Sequence, residues 1–185
     1  STEEFAAIFK GSGFHTKAHQ PSDEAVLKLG RANTSCKECL PLILTTGTLL
    51  HYINNGRRKD EVVVYFMPNG SGPCRFGQYH IFMEDLVRKL EIPDVTLLSL
   101  SSDDGYAGMG KDFHKMGWWA IIVSDLMEDV RAMLLANARD TAAAMEKFEI
   151  EWQAILATLE TVQWARLQTQ LESSMAKLQE IPLKQ

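Results

Sequence analysis

Apolar and polar positions alternate along this chain in a few distinct rhythms, and each rhythm predicts an element. Residues 1–31 read as two short helical pieces split by the polar loop Gly11 to Ser22, with Asp23 and Glu24 where a helix start favours acids. From Ser35 to Asn54, Leu40, Leu42, Ile43, Leu44, Leu49, Leu50 and Ile53 form a dense helical stretch that Asn54-Asn55-Gly56 stops. Pro41 is compatible with that helix only near its first turn. Val62-Val63-Val64-Tyr65-Phe66-Met67 is a short β-branched and aromatic run, the profile of a buried parallel strand. A Gly/Pro-rich loop follows, then Phe76, Ile81, Phe82, Leu86, Val87 and Leu90 at helical spacing over Cys74–Leu90, then a second apolar strand over Val95–Leu100.

Strand, helix, strand in that order predicts an α/β fold, a parallel-sheet Rossmann-like unit with ligands gathered at the carboxyl ends of its strands. From Lys111 onward the pattern turns helical: one helix over Trp118–Leu135, with Ile121-Ile122-Val123 open to a strand reading, and further helix over Thr141–Leu178. The expected organisation is a helical lead-in (1–30), a cysteine-containing α/β domain (31–135) and a helical tail (136–185) belonging to the same domain. A tail that ends near Ile181-Pro182 without a closing strand suggests a piece of a longer polypeptide.

Composition narrows the function classes. A chain of 185 residues with 45% hydrophobic and 23% charged residues is of ordinary globular type and long enough to bury a core without disulfides. Its net charge of -5 supplies no basic field for nucleic acid or an anionic membrane, and no apolar run approaches a membrane span. With no signal-peptide layout at its start and an odd number of cysteines, the chain is expected in the cytoplasm.

The chemistry concentrates in two segments. Cys36-Lys37-Glu38-Cys39 and the later Cys74 hold all three cysteines, each expected at the start of a helix. Unpaired N–H groups and the positive end of the helix dipole favour thiolate there, the form that binds metals. Three thiolates suit an iron-sulfur site with one open iron. A structural zinc wants a fourth ligand, and His51 and His80 fall inside predicted helices. Buried apolar thiols and a redox dithiol at Cys36 and Cys39 are the competing readings.

Around them, Arg75 is a candidate for a phosphate or carboxylate of a CoA-like substrate, or a plain surface arginine. Gln78 and Tyr79 are placed to hydrogen-bond cluster sulfur or substrate, and Asn69 and Ser71 to touch substrate beside Cys74. Gly70 and Gly72 would let backbone approach a bulky guest. The loop after the second strand adds Ser101, Ser102, Asp103, Asp104 and Tyr106, which read as a solvated turn or a proton-handling site.

Taken together, Cys36-Lys37-Glu38-Cys39-Leu40-Pro41 and Gly72-Pro73-Cys74-Arg75-Phe76-Gly77-Gln78-Tyr79 resemble the dehydratase-related domain found beside ATP-driven activators of 2-hydroxyacyl-CoA dehydratases. The resemblance spans residues 30–135 and is thin over the helical tail. It implies a 4Fe-4S cluster on Cys36, Cys39 and Cys74, and an ATP-dependent activase as the source of low-potential electrons for reductive or radical chemistry on a CoA thioester or other small molecule. No Gly-rich phosphate loop occurs here, so the ATPase step belongs to that partner or to another part of a longer chain. The alternative is a non-catalytic interaction domain of an activase, with zinc or no metal.

Overall fold

The computed structural model describes residues 2–101, 103 and 107–184. In chain order they form α1 (Thr2–Gly11), α2 (Glu24–Ala32), α3 (Leu40–Asn55), β1 (Val63–Phe66), α4 (Tyr79–Lys89), β2 (Val95–Leu98), α5 (Lys111–Asn137), α6 (Thr141–Leu159) and α7 (Trp164–Gln179). Two compact units divide the chain: Gln20–Gly108, and Ser1–His19 with Met109–Gln185.

In the first of these, Asp23 caps α2 by accepting a hydrogen bond from Val26 N at 2.9 Å. α2 packs along α3, where each helix presents a glycine to the other's backbone. β1 and β2 pair in parallel, with Val63 opposite Val95 and Phe66 opposite Leu98. Side chains of a strand alternate between faces, and Val63 and Met67 point into a core with Leu42 and Leu49 of α3 and Tyr79, Met83 and Val87 of α4. The opposite face of β1 stays open, leaving Val62 and Val64 exposed at 66% and 58%.

These observations correct the expected fold class. The protein is 64% helical with one sheet of two four-residue strands, and it is not a Rossmann-like α/β fold. A doubly wound sheet requires successive strands covered by helices on both faces. Here α3 and α4 supply the core on one face, and among the described residues no strand beyond β2 joins the sheet.

The second unit is helical. The Ile121-Ile122-Val123 run lies inside α5, whose inward residues Phe113, Met116, Ala120, Val123, Met127, Val130 and Leu134 follow a three-four spacing. The helix expected over Thr141–Leu178 is two helices, because the chain turns between α6 and α7 with Val162 in the left-handed region at φ 54. After α7 the chain returns to the α5–α6 corner, where Arg139 N donates to Pro182 O at 3.0 Å and Lys184 N to Asn137 O at 2.7 Å.

Between α6 and α7 lies a buried polar group. Glu151 is 4% exposed and accepts from Ser174 Oγ at 2.8 Å and from Lys177 Nζ at 2.9 Å. Burial opposes its ionisation, but the Ser174 hydroxyl and the Lys177 ammonium outweigh burial and hold its carboxyl below the usual 4.5. A depressed folded-state value contributes stability above the unfolded value that is lost as pH falls through the folded one. This unit is therefore expected to weaken progressively below about pH 4.5. Glu151→Gln should flatten that acid limb while lowering stability at neutral pH. All four tryptophans lie in this unit, so their fluorescence in urea melts at several pH values checks both effects. An acid limb identical in the variant would rule out Glu151 as its source.

Candidate functional site

Both cysteine segments belong to the Gln20–Gly108 unit. Cys36 is exposed within a tight turn that closes through Glu38 N donating to Ser35 O at 3.2 Å, reinforced by Ser35 Oγ donating to Glu38 Oε1. Cys39 is the N-cap residue of α3, with Pro41 in the first turn, and its thiol accepts no capping hydrogen bond. Cys74, also exposed, stands as N-cap to a short 3-10 turn over Arg75–Gln78, again without a side-chain cap. Cys39 and Cys74 thus stand at the amino ends of helical segments, and Cys36 lies in the turn that precedes α3.

Two contacts tie the segments together. Arg75 Nη1 meets Glu38 Oε2 at 3.4 Å, and the Tyr79 hydroxyl lies 2.6 Å from Cys39 Sγ. The ion pair is largely exposed on its arginine side, so its contribution is register rather than stability. Tyr79 is 4% exposed, its ring edge-on to Phe76 at 5.5 Å and packed in the core with Met83 and Leu49. Burial first, then the Cys39 sulfur and the charges of Cys39, Cys74 and Glu38, push its hydroxyl up to about 12. At neutral pH it keeps its proton, and either this hydroxyl or the Cys39 thiol can be the donor of their hydrogen bond.

Tyr65 lies in the same unit and burial raises it as well. For both phenols the neutral form is favoured in the fold. Their stabilisation is complete below the unfolded value of 10 and is lost as pH climbs through the raised folded value, which for Tyr79 is about 12. Melts between pH 9 and pH 12 should show this unit weakening. Tyr79→Phe should remove a share of that alkaline loss; a variant with the same slope as the parent would show that Tyr79 does not carry it.

The loop between β1 and α4 is shaped by its own backbone. Gly72 has φ 111, which side-chain-bearing residues avoid, and an added Cβ on Gly77 would stand 2.2 Å from Gly70 O. The glycines therefore serve the loop's own fold. Asn69 and Ser71, expected to face substrate, are engaged elsewhere. Asn69 donates from Nδ2 to Ser99 Oγ at 2.8 Å and from its backbone to Leu100 O, and Ser71 gives both its N–H and its hydroxyl to Asp103 Oδ1. Those two donors, with Ser101, hold the Asp103 carboxyl below the usual range. Together they stitch the loop after β1 to the loop after β2. Gln78 is exposed and stands as the N-cap residue of α4 without a side-chain cap hydrogen bond. Ser102, Asp104 and Tyr106 lie outside the described residues.

His51 falls within α3, and His80 in the first turn of α4 with a buried Nδ1 that has no hydrogen-bond partner. Among the described residues, no three His, Cys, Asp or Glu side chains are grouped closely enough to hold a single metal ion. No protein-family model, curated protein or solved structure matches this chain. Among the described residues the site offers three exposed or half-exposed thiols, two of them at helical amino ends, one phenol against the Cys39 sulfur and one ion pair between the segments.

Proposed function

We propose that this chain is an iron-sulfur protein of the 2-hydroxyacyl-CoA dehydratase and activase type, in which Cys36, Cys39 and Cys74 hold a 4Fe-4S cluster. The observation that carries this reading is the cross-tie between the cysteine segments: Arg75 to Glu38, and Tyr79 to Cys39. Cys39 packs against the core that holds Tyr79, and Glu38 beside it pairs with Arg75, the residue that follows Cys74. A cluster takes its thiolates on separate irons, so its ligands stand further apart than those of one zinc ion.

A cluster bound there would supply an electron port of low potential. The chain's own residues would set its surroundings. The Tyr79 hydroxyl, itself buried in the core, would hydrogen-bond the Cys39 sulfur. Glu38 and Arg75 close the side between the segments. The partner would be an ATP-dependent activase domain or subunit, the acceptor a CoA thioester or another small molecule, and the compartment the reducing cytoplasm. Among the described residues, no helix is long and apolar enough to cross a membrane.

The test is anaerobic reconstitution with iron and sulfide. About four of each per chain are expected, with a brown chromophore bleached by dithionite. A colourless chain that takes up one zinc, or no metal at all, would replace this reading with that of a non-catalytic interaction domain.

A further inference from the structure

α5 carries two rows of side chains at three-four spacing, and only one of them is used within its unit. The inward row, Phe113 to Leu134, is buried. The second row comprises Lys111, Lys115, Trp118, Ile122, Leu126, Asp129 and Met133, and every member is exposed. Four are large and apolar: Trp118 at 49%, Ile122 at 52%, Leu126 at 44% and Met133 at 40%. A surface helix needs one apolar stripe; a second, continuous over four turns, marks a surface that meets something.

The outer row also has a symmetry that says what it meets. Counting outward from Ile122, Trp118 and Leu126 lie four residues away on either side, Lys115 and Asp129 seven, and Lys111 and Met133 eleven. Lay a second copy of α5 antiparallel on the first with Ile122 on the two-fold axis. Ile122 then meets Ile122, Trp118 meets Leu126, Lys115 meets Asp129, and the apolar stem of Lys111 lies along Met133, each contact occurring twice. Within its own chain the neighbouring pair Arg131 and Glu128 is self-contained at 3.0 Å, and among the described residues Lys115 and Asp129 have no ion partner. Parallel pairing would instead set Lys115 on Lys115 and Asp129 on Asp129, so charge selects the antiparallel arrangement.

From this we infer that the outer face of α5 is a homodimer seam, closed by a second copy of this chain in antiparallel, isologous contact centred on Ile122. The inference is independent of the cluster reading, since no cysteine takes part.

Sedimentation equilibrium of the full chain, in reductant so that the free cysteines form no disulfide-linked species, tests it. The mass should approach twice 20.8 kDa in the tens-of-micromolar range and fall on dilution. Ile122→Glu should be monomeric with an unchanged far-ultraviolet spectrum, because the side chain it replaces is exposed. Lys115→Glu and Asp129→Lys should each weaken self-association by about tenfold or more, while an equimolar mixture of the two should recover it as a heterodimer. A chain that stays monomeric across the range would overturn the seam. So would a dimer indifferent to Ile122→Glu, or single charge variants that fail to rescue one another when mixed.

Discussion

Cys74→Ser is expected to take the anaerobically reconstituted chain from about four irons to nearly none, with its helical content unchanged. Two thiolates from one turn, Cys36 and Cys39, cannot anchor a cluster alone, and a serine hydroxyl ionises too weakly at neutral pH to stand in for the third. The fold should tolerate the change because Cys74 is exposed and its side chain caps nothing. That separation makes the result readable: iron and sulfide report on the site, far-ultraviolet circular dichroism on the helices. Cys36→Ser should behave alike, as Cys36 is also exposed. Full iron in either variant would remove that residue from the ligand set. Loss of iron together with helical signal would trace the effect to unfolding, and holding the variant at low temperature would then separate the two.

The largest effect on stability is expected at the crossing of α2 and α3. A Cβ on Gly47 would stand 2.1 Å from the carbonyl oxygen of Val26, and one on Gly30 would stand 2.0 Å from that of Ile43. Both obstacles are backbone, which cannot rotate aside, so Gly47→Ala must push the helices apart. Alanine gains about 1 kcal/mol of intrinsic preference inside a helix. Overpacking a close backbone contact costs roughly 3 kcal/mol or more, so the clash wins. The expected result is loss of hydrogen-exchange protection in α2 and α3, while tryptophan fluorescence, which reports the other unit, retains its midpoint in urea. A Gly47→Ala chain as well protected as the parent would show that the crossing is not limited by these two glycines.

Local signals in the chain were legible where the physics is local. Asp23 before α2, Asn54-Asn55-Gly56 at the end of α3 and Pro41 in the first turn of α3 mark helix ends through capping and ring geometry, which depend on neighbours in sequence. The start positions of Cys39 and Cys74 followed from the same logic. The fold class was misread, and hydrogen-bond partners stayed hidden, where an element's environment decides. Val62 to Met67 reads as a strand covered on both sides because its residues are apolar throughout, yet a run of that composition carries no information on how many layers surround it. Asn69 and Ser71 are polar residues beside a cysteine, and nothing in their order along the chain reveals that Ser99, Leu100 and Asp103 would claim their hydrogen bonds.

The sequence by itself determined most of the helical stretches, that two short strands flank α4, and that Cys39 and Cys74 stand at the starts of helical segments, because caps, turns and periodicity act over a few residues. Only the tertiary structure decided that the sheet stops at two strands, that Glu38 reaches Arg75, that Tyr79 reaches the sulfur of Cys39, and that α2 and α3 touch through Gly30 and Gly47. Each of those depends on groups 17 to 40 residues apart in the chain being brought within contact distance by a shared core, and burial of apolar surface acts on proximity in space without regard to sequence separation.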